Sequence, residues 1–271
     1  MNIKPLPRVL YRNNPLVEVI AQVRFSTQFG MRTAAPAEFQ AALGSDYPVV
    51  YVEQMRGMNF SFEDGAQVQQ SSDNFNIYHF DSLDGFWRVS LCHEFVALTC
   101  RRYSEWADFQ VRLNAVLDRF IRCYSNVGAY TRVGLRYRDV LIRESLDLAG
   151  VPWRDLLAPW VLGVYGAGSM IEAGEEYPGV ESGIEMALNQ SVLNLSGCKV
   201  GLISGLAQNP DGVRGFLIDT DFYMEGLNAW SLENIEPKFT ALHSNAGHLF
   251  NHCITAKLSE ALGSVGPSGS S

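Results

Sequence analysis

The chain is short of positive charge. Lysine and arginine number 21 against 29 acidic residues, and the net charge is -8. Gripping phosphate backbones over a broad surface needs clustered Lys and Arg, so this balance argues against such a role without excluding a local basic groove. There is no run of about 18 apolar residues, and hence no segment that reads as a membrane-spanning helix. The opening stretch MNIKPLPRVL lacks the apolar centre of a signal peptide, which makes the cytoplasm the expected compartment. Cysteine is scarce as well. Cys92, Cys100, Cys123, Cys198 and Cys253 form no CxxC pair and are odd in number. They read as buried free thiols in a reducing environment. Phosphate-binding loop, dinucleotide fingerprint and G-x-S-x-G elbow are all missing, so no cofactor and no catalytic residue is expected from motifs.

What the chain does have is apolar material in ordered patterns. Hydrophobic residues make up 47% and charged residues 18% of 271, enough for a sizeable core and too few charges for a disordered chain. The stretch RVGLRYRDVLI, 132–142, alternates an apolar face (Val133, Leu135, Tyr137) with a basic one (Arg132, Arg136, Arg138). A twin lies near the start. From Leu16 to Phe25, Val17, Val19, Ala21, Val23 and Phe25 share one face, and Glu18, Gln22 and Arg24 the other.

Between these twins the pattern predicts a short helix from Pro36 to Gly44 and strands at 48–56, 75–80, 86–91 and 94–103. Turns are expected at Glu63-Asp64-Gly65 and Asp84-Gly85, with a polar loop over 66–72. Ser104 is the expected cap of a long helix through Tyr124, whose apolar stripe runs from Trp106 to Ile121. After the second twin come a helix over 151–163 that Pro159 would kink, and strands at 169–175, 185–195, 198–206 and 213–223. Turns at Ser196-Gly197 and 209–212 separate the later strands. A last helix opens at Ser231 and stops near Gly263.

Both halves thus read strand, short helix, four strands, long helix. The expected fold is α+β: a duplicated β-α-β4-α unit over 1–128 and 129–263, a mainly antiparallel sheet, two long helices packed on one face, and a disordered tail over 264–271.

The signatures NPLVEVIAQVRF and RVGLRYRDV together resemble a sporadically distributed family of uncharacterised prokaryotic proteins, with a Pro-hydrophobic-x-Glu strand at the start and a GLRY-like strand at the centre. The resemblance covers almost the whole chain. It implies no established activity and lends no catalytic residues, although a sporadic family suits an accessory role in a mobile-element or defence locus. The duplicated β-α-β4-α order is also similar to the saddle of TATA-binding proteins and to helix-grip folds. That likeness concerns fold alone, and the intercalating phenylalanine pairs of the TATA-binding family find no counterpart here.

Arg24, Arg132, Arg136 and Arg138 are the candidate ligand-binding residues, because a planar guanidinium donates two parallel hydrogen bonds to a phosphate or carboxylate. The alternative is a structural network in which they pair with Glu18, Asp139, Asp219 or Asp221. Asp219 and Asp221 share one strand face and suggest a metal site, but D-x-D is a weak signal. His248 and His252 share one helix face at a spacing that zinc accepts. No Cys pair joins them, and the polar edge of an amphipathic helix explains them better, so no metal is expected. The functional expectation is a non-enzymatic binding or interaction protein whose Arg-lined sheet face takes an anionic ligand or an acidic protein partner, with self-association open. A metal-dependent enzyme acting on a nucleotide or phosphorylated substrate, and a carrier of a small apolar ligand, are the alternatives.

Overall fold

A computed structural model describes residues 1–7, 9–56, 74–166, 187–208 and 213–265. In chain order the elements are β1 (Leu10–Tyr11), β2 (Leu16–Phe25), α1 (Phe29–Thr33), α2 (Ala37–Leu43), β3 (Val49–Arg56), β4 (Asn74–Asp81), β5 (Trp87–Leu91), β6 (Phe95–Cys100), α3 (Trp106–Cys123), β7 (Ala129–Leu141), α4 (Pro159–Leu162), β8 (Leu188–Leu195), β9 (Cys198–Gln208), β10 (Arg214–Ala229), α5 (Leu232–Cys253), α6 (Ala256–Ala261) and β11 (Ser264–Val265). Nine strands form one large, mainly antiparallel sheet in the order β3-β4-β5-β6-β2-β7-β10-β9-β8. The fold is therefore α+β, and the two twin strands β2 and β7 are neighbours in the sheet.

The chain divides into two compact units. The first comprises 20–133 and 225–237. Here β3 to β6 form a meander of antiparallel hairpins, with Gly85 at a φ of 71° in the β4–β5 turn where the sequence places it. Phe109, Leu113, Val116, Leu117 and Phe120 form the buried stripe of α3. Its rings meet the strands: Trp87 lies 5.9 Å from Phe109, and Phe25 stacks on Phe120 at 5.2 Å. Phe39 of α2 packs against Phe80 at 5.9 Å. Each such side chain contributes about 1.5–3 kcal/mol on burial.

The second unit comprises 1–19, 134–224 and 238–271. Its core gathers Phe216 of β10 against Trp153 at 5.3 Å and Tyr165 at 6.0 Å, with Leu156, Leu157, Val161 and Leu162 buried nearby in sequence. Gly163, at a φ of 51°, lies so close to Asn189 that a Cβ there would overlap the asparagine side chain. The positive φ calls for glycine, and a Cβ would also force the Asn189 side chain to move.

Several local expectations are corrected. The cap of α3 is Glu105, not Ser104, and no side chain bonds the helix end. Pro159 stands at the first position of α4 and so begins a helix where a kink was expected, since its missing N–H is unneeded there. The last helix is two: α5 ends at Cys253, and Thr255 caps α6, accepting from the Leu258 N–H at 3.4 Å. Helix α1 has no counterpart in the sequence reading, and β10 runs six residues past Tyr223, to Ala229. Ser264 and Val265, assigned to the tail, pair with Tyr11 and Leu10. The turns at 63–65 and 209–212, the loop at 66–72 and the strand at 169–175 lie outside the described residues.

Candidate functional site

Strand β7 alternates as its sequence demands. Val133, Leu135 and Tyr137 are buried, and Arg132, Arg136 and Arg138 point to the other side of the sheet. In the second unit Arg136 grips Asp219 of β10 with two parallel bonds, Nε to Oδ1 at 2.7 Å and Nη2 to Oδ2 at 2.6 Å. The Asp219 side chain is only 5% exposed. Its hydrogen bonds push the Arg136 guanidinium above its ordinary range, against the opposing effect of burial. Arg138 donates from Nη1 to Glu18 Oε2 at 3.0 Å, and its Nε lies 3.4 Å from Asp219 Oδ2. Both guanidiniums remain about two-fifths exposed, at 41% and 40%.

Arg24 and Arg132 belong to the first unit. Arg24 lies 3.3 Å from Glu94 in an exposed pair, and Arg132 reaches the Gln22 side-chain oxygen at 3.5 Å. The pairing alternative thus describes Arg136 with Asp219 and Arg138 with Glu18. It does not extend to Asp139, which lies on the buried face of β7. Burial, and after it the negative charge of Asp219, pushes the Asp139 carboxyl up to about 8.

The other candidates have plain structural uses. Asp219 is occupied by arginine, and no group of three or more His, Cys, Asp or Glu suited to a metal occurs among the described residues. His248 Nδ1 accepts from the Leu6 N–H at 3.3 Å, and His252 Nε2 donates to the Lys4 carbonyl at 2.9 Å. The paired histidines therefore hold the N-terminal segment against α5. All five cysteines are free, and burial raises every thiol, that of Cys92 to about 11. Thiolate chemistry is disfavoured at each.

The sequence reading missed one constellation in the first unit. His79 of β4, 6% exposed, stands between Ser90 of β5 and Glu53 of β3. Ser90 Oγ is 2.9 Å from Nδ1, and Glu53 Oε2 is 3.0 Å from Nε2. The Tyr51 ring packs tilted against the imidazole, with centroids 4.9 Å apart, Arg88 lies 4.7 Å above the Tyr51 ring, and Asp81 holds Arg88 with two bonds of 2.7 and 2.9 Å. The signal was strand register. Tyr51, His79 and Ser90 form one lateral row once β3, β4 and β5 are aligned, although they are scattered in sequence. A separate open cleft of about 320 Å³ lies beside the β4–β5 turn, where Arg112 of α3 covers Trp87 at 4.5 Å.

No known protein family matches the chain, and no curated protein sequence does either.

Proposed function

We propose that the protein is a non-enzymatic interaction protein, and that Arg136 and Arg138 present its recognition surface for an anionic ligand or an acidic partner segment. One observation carries this reading: two neighbouring guanidiniums, each two-fifths exposed, are anchored from below by carboxylates. Arg136 uses Nε and Nη2 on Asp219, and Arg138 uses Nη1 on Glu18. Among the described residues, these bonds leave one terminal nitrogen of each for an outside acceptor. Anchoring lowers the entropy lost when a partner orders the side chain. Glu18, Asp219 and Asp221 offset the positive charge, so affinity depends on directed hydrogen bonds more than on bulk attraction, and falls with salt.

We also infer that the halves 1–128 and 129–263 arose from one β-α-β4-α unit, with two long helices on one sheet face. The adjacency of β2 and β7, and the two long helices α3 and α5 that close the halves, support that origin. Membership of the sporadic prokaryotic family is part of the same reading.

The test is binding of a fluorescent oligoglutamate peptide and of inorganic phosphate at low ionic strength. Peptide or phosphate binding that is lost in Arg136→Ala/Arg138→Ala, weakened in the milder Arg138→Ala and kept in Arg24→Ala supports the site. If the native protein binds neither probe, or the variants bind as it does, the reading fails.

A further inference from the structure

The cluster of Glu53, His79 and Ser90 goes beyond the arginine surface and is independent of it. A carboxylate can only accept hydrogen bonds, so the contact of Glu53 with Nε2 places the imidazole proton on that nitrogen. In the neutral ring Nδ1 is then an acceptor, and the Ser90 hydroxyl donates to it across 2.9 Å. This is the arrangement of a hydroxyl, its general base and a carboxylate that orients the base. Its members come from three adjacent strands, β5, β4 and β3. The imidazole is hemmed in, because the tilted Tyr51 ring packs against it and the Asp81-held Arg88 covers Tyr51. His79 and Ser90 are 6% and 7% exposed, which limits competition from water for the hydrogen bond between them.

We propose that Ser90 is an activated nucleophile that takes an acyl or phosphonyl group from a small ester-like electrophile. Oγ attacks the electrophilic carbon or phosphorus and forms the new bond to it. The Oγ proton passes to His79 Nδ1, and the bond to the leaving group breaks with its electron pair. The resulting imidazolium faces the Glu53 carboxylate. Glu53 is a positioning residue: it sets the tautomer and stabilises the charge that develops on His79.

A small alkyl fluorophosphonate tests this on the whole native chain. Phosphorus–oxygen bond formation at Ser90 would expel fluoride. The expected result is a single adduct mapped by mass spectrometry to Ser90, absent in Ser90→Ala. His79→Gln should slow labelling by about 100-fold or more, the usual worth of a general base. Glu53→Gln keeps a hydrogen bond but loses the charge, and should slow labelling without a comparable fall in melting temperature; a purely structural link would not separate the two. Glu53 is half exposed, so this variant serves even if His79→Gln does not fold. No adduct on the native protein, an adduct elsewhere, or an undiminished rate in Glu53→Gln overturns the proposal.

Discussion

Arg24 and Arg136 occupy like positions in twin strands, yet their surroundings differ. The Arg24–Glu94 pair is exposed on both sides, at 47% and 38%. Such pairs are worth about 0–1 kcal/mol. Removing Arg136 instead leaves the buried Asp219, among the described residues, to the poorly aligned Arg138 Nε. Arg24→Ala is therefore expected to shift stability by less than about 1 kcal/mol, and Arg136→Ala to cost about 1–3 kcal/mol. Urea titrations of the two variants decide it, and equal effects would contradict the burial argument. Asp139 gives a pH signature. In the unfolded chain its carboxyl ionises near its ordinary value of about 3.9, whereas in the folded chain it keeps its proton up to about 8. Ionisation then favours the unfolded state between those values. The contribution is most favourable below the lower value, declines as pH rises, and levels off above about 8. Asp139→Asn should be more stable than the native protein at pH 8, on the order of a few kcal/mol, and the difference should vanish at low pH. Melting curves across this range supply the check.

At the scale of elements, the caps show what was legible and what was not. Ser104 matched the composition of a cap, but the extended backbone of Glu105 places the first helical residue one position later, and Ser104 drops out of the helix. Thr255 looked like the interior of a long helix. There the chain breaks, Thr255 Oγ1 takes the Leu258 N–H, and the Thr255 N–H donates to the Leu156 carbonyl at 2.9 Å. A local pattern cannot reveal a break made by a contact about a hundred residues away. Thr255→Ala is expected to cost about 0.5–2 kcal/mol, and Ser104→Ala close to nothing. Chemical denaturation of both variants measures the contrast. The alternating strands were read well because period two follows from the pleat itself, as in β2 and β7. Partners across the sheet were harder. Arginines 132, 136 and 138 could be assigned to one face, but that Asp219 lies beside Arg136 depends on the β7–β10 neighbourhood. The Tyr51–His79–Ser90 row depends likewise on two hairpin registers.

At the scale of the molecule, strand order separates contacts that form locally from those that cannot. Strands β3 to β6 are sheet neighbours in chain order, joined by hairpins such as Phe80 opposite Val89. Strand β2 finds β6 on one side and β7 on the other, both far along the chain. Contacts distant in sequence form slowly, since loop closure must precede them. Pulse-labelled hydrogen exchange during refolding should protect the amides of β4 and β5 before those of β7, and the reverse order would show that the centre of the sheet nucleates folding.

The pairing of Leu10 with Val265 carries this furthest, because the partners are about 250 positions apart. On the ribosome, β1 emerges well before β11 and lacks that mate until the residues between them have been translated. The join between β1 and β11 therefore forms only after the residues between them have been made, and β1 waits without that mate while they are synthesised.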